Sequence, residues 1–247
     1  MKKSIFRVAI LLAALTLLLT SCALPALEHR NNGTFYNKKN DVSYLPAPAT
    51  YKARTLVSGD KIARIPYKEM DDTVLYAIEN ADTAKFLTDE NYQLYYASTV
   101  TLPSVWEMQV DKINIVSTGS ISYSTASITE AQDISEIIAA YQNGVHFSRD
   151  EIDVAMIPTR YDLEFSSELY PAFYYTLTYW QFATDVLVYE LITDPNDTTP
   201  TYEGVKVTYE DYEGESYAVY HFGKRFLYNR TTGECYPLGN TVAKYLE

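Results

Sequence analysis

From Tyr51 onward, apolar and polar residues alternate in short runs, the period-two pattern of strands with one face against a core. Ala53–Val57 and Lys61–Pro66 read as two short strands turned at Ser58-Gly59-Asp60. Thr73–Ile78 and the tyrosine-rich Tyr92–Thr101 continue the pattern. Glu107–Val116 adds a strand with Val110, Ile113 and Ile115 as core residues. The period then changes. Over 129–143, Ile134, Ile137, Ile138 and Tyr141 fall at i, i+3, i+4 and i+7, one apolar stripe of a helix. Thr129 is the expected N-cap, Gln132 completes a capping box with it, and Asn143-Gly144 supplies the stop.

Beyond the helix, Arg160–Phe165, Ala172–Phe182, Asp185–Thr193, Gly204–Tyr209 and Tyr217–Phe222 read as strands. Gly223-Lys224 and Thr231-Thr232-Gly233 are expected to turn the last hairpins, giving Arg225–Asn229 and Glu234–Leu238. Asn240 is placed to cap a short C-terminal helix, Thr241–Leu246. The expected fold class is α+β: a mainly antiparallel β-sheet, the amphipathic helix of 129–143 packed on it, and the short C-terminal helix. One globular domain over 51–247 accounts for the pattern, with a division into two subdomains near 117–128 as the alternative. The hairpins around Gly59 and Gly223 look alike, but a tight turn between β-formers is too common to indicate a repeat.

Residues 23–50 lack either period. Asn31-Asn32-Gly33, Asn37-Lys38-Lys39-Asn40-Asp41 and Pro46-Ala47-Pro48 predict a flexible tether. As a free coil these 28 residues would span roughly 30 Å root-mean-square. Before them, Lys2, Lys3 and Arg7 make a basic start, and Val8–Leu19 is a twelve-residue apolar run. That run is short for a membrane span, which needs ~20 residues, and suits the apolar region of a signal peptide. It ends in Leu19-Thr20-Ser21-Cys22, which resembles the lipobox of bacterial lipoproteins: an aliphatic residue, two small residues, then cysteine. The resemblance covers residues 1–22. It implies a diacylglycerol on the Cys22 thiol, removal of residues 1–21 as a signal peptide, and palmitate-type chains holding the protein to the outer, extracytoplasmic face of the cell membrane. Each buried methylene contributes ~0.8 kcal/mol, so two long chains anchor stably. Ala23 follows the cysteine, so the aspartate that acts as a retention signal in diderm bacteria is absent. The mature region is also similar in general character to small uncharacterised lipoproteins of Gram-positive anaerobes, without a shared motif.

Charge narrows the partners. The formal charge is −12; without the three basic residues of 1–21, 17 basic residues face 32 acidic ones, leaving −15. A polyanion gains nothing from releasing phosphate counterions, so nucleic acid is not an expected partner. Anionic head groups would repel the domain too, which leaves the acyl chains as its membrane contact. With Cys22 acylated, Cys235 has no disulfide partner and reads as a small apolar strand residue.

The candidate chemistry is weak. Of 24 tyrosines, Tyr161, Tyr170, Tyr174, Tyr175, Tyr179 and Tyr189 crowd one region with Trp180. Such rings stack on sugars or prolines, but tyrosine is also a strand former that tolerates a half-wet face. Apolar residues on both faces of Phe173–Phe182 suit a central strand better than an exposed platform. The acidic stretch Glu203, Glu210, Asp211, Glu213 and Glu215 around Gly214, and Asp194-Pro195-Asn196-Asp197, offer calcium-type oxygens, yet neither spacing fits an EF-hand loop. Around Gly214 a solvated hairpin tip is the better account. Ser58-Gly59-Asp60-Lys61 matches the S-x-x-K of penicillin-binding proteins and class A β-lactamases. The companion K-T-G and S-D-N elements are missing, so the match is chance. His29, His146 and His221 are scattered, with no zinc or triad spacing. Lipidation of Cys22 is therefore the one site assigned, with no catalytic residue, cofactor or metal ligand.

The expectation is a non-enzymatic envelope lipoprotein that binds another envelope protein or a glycan, or serves a membrane complex. The alternative is an envelope hydrolase using a carboxylate pair not identifiable among 32 acids. A third reading, solute capture, asks for more helix than the chain offers.

Overall fold

Strand-forming runs separated by turn residues fold into two sheets in the computed structural model, which describes residues 24–30, 33–54, 60–67, 71–117, 123–193, 202 and 204–246. The sheets belong to two units, residues 1–46 with 55–100 and residues 47–54 with 101–247. The division lies near residue 100. It does not fall at 117–128, because Tyr123–Ile128, inside that segment, pairs with Lys112–Ser117 at its start, both in the second unit.

The first unit holds β1 (Glu28–His29), β2 (Phe35–Asn37), β3 (Val42–Pro46), β5 (Lys61–Ile65), β6 (Thr73–Ala77), β7 (Phe86–Thr88) and β8 (Leu94–Ala97); β4 (Tyr51–Ala53) belongs to the second. Its seven strands run β1-β2-β3-β8-β7-β6-β5, each pair antiparallel. Residues 25–27 return to the far edge, where the Leu27 amide donates to the Arg64 carbonyl (2.8 Å) and the Arg64 amide to the Pro25 carbonyl (3.0 Å). One bridge, Ala26 with Arg64, thus joins the two sheet edges and occupies backbone groups that an edge strand would otherwise expose there. Leu27, Tyr44, Ala63, Ile65, Leu75, Leu87 and Tyr95 fill the core. The expected tether is corrected here: 25–46 supplies three strands and buries Leu27, Asn37 and Tyr44, so few apolar residues suffice when each is inserted. The turn and most of the first strand of the expected hairpin around Gly59, residues 55–59, lie outside the described ones; among the described residues β4 pairs with a strand of the second unit and β5 with β6.

The second unit adds β9 (Lys112–Ser117), β10 (Tyr123–Ile128), helix α1 (Ala131–Asn143), β11 (Phe147–Ser148), β12 (Thr159–Ser166), β13 (Phe173–Leu191), β14 (Lys206–Tyr212), β15 (Glu215–Asn229) and β16 (Glu234–Pro237). The strand order is β10-β9-β12-β13-β15-β16-β11, with β14 on β15 and β4 on β13, all antiparallel. The fold class is therefore the expected one, sheet-dominated α+β. Two pairs of expected strands are single long strands, β13 and β15, and Gly223 lies inside β15 rather than in a turn. Residues of β13 are buried on both faces between Leu177 and Trp180, as a central strand requires. The hairpin tip at 213–214 is the real turn between β14 and β15. Glu213 (φ +52°) and Gly214 (φ +88°) are both left-handed, the geometry that matches strand twist.

Helix α1 buries Ile134 and Ile137, while Ile138 and Tyr141 are half-buried. The expected Thr129–Gln132 capping box does not form; Glu130 precedes the helix without a side-chain cap, and Gln132 donates instead to Glu136, one turn on (3.1 Å). Tyr141 ties the helix to the sheet: Asn229 Nδ2 donates to its hydroxyl (2.7 Å), which meets the Tyr175 hydroxyl at 2.8 Å. The C-terminal helix shrinks to a single 3₁₀ turn, Ala243–Tyr245. Its attachment is polar. Lys244 Nζ (2.7 Å) and the Tyr245 hydroxyl (2.5 Å) both donate to the buried Asp133, and Thr241 Oγ1 donates to Glu136 (3.0 Å).

The hydrogen bonds from Lys244 and then Tyr245 hold the Asp133 carboxyl below its ordinary pKa of 3.8. A folded-state pKa below the unfolded one contributes stability that is fully present above the ordinary value and is lost as pH falls through the depressed one. Asp133→Asn is therefore expected to lower the melting temperature by a few degrees near pH 7, and the gap from wild type should shrink between pH 4 and 2. Thermal melts across that range check it; a gap independent of pH would mean the carboxylate charge is not what matters.

Candidate functional site

Register places a polar row in the middle of the second sheet. Thr159 of β12 pairs with Gln181 of β13, which pairs with Arg225 of β15. The next row on the same face, two residues along each strand, is Tyr161, Tyr179 and Leu227. The C-terminal turn brings Ala243 and Leu246 over these rows. Thr159, Tyr161, Gln181, Arg225, Ala243 and Leu246 together line a hollow of about 240 Å³.

Arg225 is the unusual member. Its Nε is buried and donates to nothing, and it forms no ion pair with a carboxylate among the described residues. A buried donor left unmet costs roughly 1–3 kcal/mol, and more for a charged group. Tyr179 donates to Gln181 Oε1 (3.2 Å), which fixes the amide and leaves its Nε2 protons without a partner among the described residues. Burial, first of all, raises the Tyr179 pKa, while the neighbouring guanidinium pulls it back down. The hollow thus gathers donors, one of them cationic, above an apolar wall. Sequence reasoning missed it because its residues come from four separate segments, joined only by strand register.

The other face carries two carboxylates two residues apart on β12, Asp162 and Glu164. Asp162 accepts from Arg230 Nη2 (2.6 Å) and Thr178 Oγ1 (3.1 Å), so it is already committed to an ion pair. Glu164, two residues on, has its pKa raised chiefly by burial. Neither lines the hollow around Arg225.

The sequence candidates fall elsewhere. Cys22 lies outside the described residues, as do Ser58-Gly59 of the S-x-x-K match and Asp194-Pro195-Asn196-Asp197. Cys235 is fully buried, and burial pushes its thiol up to about 12, so it behaves as a small apolar residue. Of the acidic stretch near Gly214, Glu203 lies outside the described residues and the others sit in the β14–β15 hairpin: Asp211 accepts from Ser216 (2.6 Å) and Glu215 from Tyr217 (2.7 Å). Among the described residues no three His, Cys, Asp or Glu side chains gather as a metal site would require. His29 Nε2 lies 3.2 Å from the Pro66 carbonyl, His221 Nε2 lies 2.9 Å from Thr208 Oγ1, and His146 lies 3.6 Å from Glu234.

The crowded tyrosines split between faces. Strand alternation puts Tyr175 and Tyr179 on one side of β13 and Tyr174 and Trp180 on the other, and Tyr189 is exposed at its far end. A different aromatic row forms from residues far apart in sequence. Trp106 packs on Tyr141 (6.1 Å between centroids), Tyr141 on Tyr236 (4.8 Å), and Tyr236 on His146 (5.2 Å). Trp106 and His146, at its ends, are about half exposed. Compared with known proteins, the chain matches no family model, no curated protein and no solved structure.

Proposed function

We propose that this protein is a lipoprotein held on the extracytoplasmic face of the cell membrane through acylated Cys22, and that it presents a non-enzymatic binding or accessory domain to an envelope protein or glycan. The observation that carries the reading is the complete lipobox, Leu19-Thr20-Ser21-Cys22, at the end of a basic start and a twelve-residue apolar run. The early start of the fold adds a geometric point. Leu27 is already core, and the five residues from Cys22 span at most ~18 Å. The first unit would therefore ride close to the head groups instead of at the end of a long coil. The net charge of −15 on the mature chain would keep its surface from adhering to anionic lipid.

The binding reading draws on the row from Trp106 to His146, whose ring faces suit sugars or proline-containing segments and whose inner members are pinned by sheet and helix. The hydrolase alternative draws only on Glu164, whose neighbour Asp162 is taken up by Arg230.

Intact mass of the membrane-extracted protein is expected to show residues 1–21 removed and a diacylglycerol on Cys22. Cys22→Ser should abolish labelling by radioactive palmitate and leave the leader attached. A wild-type product with a bare thiol, or with the leader intact, sinks the proposal.

A further inference from the structure

We infer that the hollow around Arg225 is a binding site for a small carboxylic acid of about amino-acid size. The inference deepens the binding-module reading but does not depend on acylation. Four observations support it. The guanidinium has no carboxylate of its own among the described residues, and its Nε is buried without an acceptor. Neutral donors flank it on the same face, Thr159 in its own cross-strand row and Tyr161 in the next. The Gln181 amide is oriented by the Tyr179 hydroxyl, leaving donor protons to spare. Ala243 and Leu246 add an apolar wall that would cover the stem of an acid, not a second charge.

The guanidinium fork matches a carboxylate bidentately, two parallel N–H···O bonds that a lysine's single ammonium cannot reproduce. Size limits the guest. At ~30 Å³ for each water displaced, about 240 Å³ corresponds to roughly eight waters, below the usual range for drug-sized ligands. Phosphate would fit by volume but leaves the apolar wall unused. The acidic surface opposes any anion at a distance; within a screening length of ~8–10 Å the fork dominates. The wall is itself anchored, since Lys244 and Tyr245, between Ala243 and Leu246, are held by Asp133. Loosening that attachment should loosen the site.

The test is a titration of the purified, unacylated mature chain, followed through the Arg225 Nε–H resonance in nitrogen-15 NMR. The probes are N-acetylalanine, its neutral amide and inorganic phosphate. N-acetylalanine is expected to shift that resonance saturably, half-maximal near ~1 mM, with the amide at least tenfold weaker. Gln181→Ala should weaken the acid severalfold, and Arg225→Lys at least tenfold, with the circular dichroism spectrum unchanged. If Arg225→Lys fails to fold, the wild-type titration and Gln181→Ala still decide. No saturation by 50 mM acid, an equal response to the amide, or tighter binding of phosphate than of the acid overturns the inference. None of these results bears on Cys22, whose mass decides the anchor separately.

Discussion

Phe226→Ala is expected to destabilise the second unit by about 3–5 kcal/mol, the range for removing a buried aromatic ring whose cavity cannot close. Phe226 is wholly inaccessible and sits edge-on between Phe147 (5.5 Å between centroids) and Phe182 (5.8 Å), in the cluster that also holds Trp180, Phe222 and Cys235. Three separate strands contribute these rings: β11, β13 and β15. Because β13 and β15 are the two long strands of the sheet, their backbone pairing would hold the cavity walls apart after truncation. Domains of this size have only about 5–15 kcal/mol in hand, so the loss is a large share. Urea unfolding should show the midpoint fall with the slope unchanged, while Phe226→Leu, closer in volume, costs about 1.5 kcal/mol or less. A loss below 1 kcal/mol for the alanine variant would mean the cluster is not the keystone its packing implies.

How legible such features were depended on how local their causes are. Helix α1 was readable because its isoleucine stripe is contained within four turns, and β6 and β12 because each alternates on its own; of the expected strand Glu107–Val116 only 112–116 is strand, in β9, since 107–111 form a turn and loop. The helix start was misread, since Thr129-x-x-Gln132 satisfies the pattern but Glu130 is the residue that precedes the helix. A capping box of the same type does form at Ser148 and Glu151, where the Ser148 side chain accepts from Asp150 and Glu151 accepts from the Ser148 amide. The pattern is equally visible in both places, and only the surrounding chain decides between them. Residues 25–46 look like a coil in sequence because their burial comes from β3 pairing with β8 and from 25–27 meeting β5, partners distant in sequence. The same holds for the hollow. Arg225 in isolation is one cation among 20, and only the Thr159–Gln181–Arg225 register makes it notable. The aromatic row from Trp106 to His146 spans a loop, a helix, a strand and a second loop, so no window of sequence contains it.

Gly223 shows the same limit and yields the second large expected effect. Gly-Lys between β-formers reads as a hairpin turn because a left-handed residue is needed there, and Gly223 does have φ +80°. The left-handed residue serves a bulge instead. Gly223 pairs with Val186, but the next partner of β13, Leu187, pairs with His221, so Phe222 is an extra residue on β15. On the opposite side of Gly223, the pairing passes from Val186 back to Gln181 while β15 advances only to Arg225, so β13 takes up its own excess through exposed Ala183, Thr184 and Asp185. The two irregularities let strands of 19 and 15 residues bend together and place Phe222 in the same core as Phe226. A β-carbon added at Gly223 would meet no heavy atom within 4 Å, so the cost of substitution is conformational rather than steric. Gly223→Ala is therefore expected to cost about 1–2 kcal/mol, and Gly223→Val, whose branched side chain tolerates the left-handed region least, about 2–3 kcal/mol. Gly223→Asn should recover most of the loss, because asparagine visits that region readily. Chemical denaturation of the three variants gives the ordering; were valine tolerated as well as asparagine, the strand would not need its left-handed residue, and the bulge would not be what bends it.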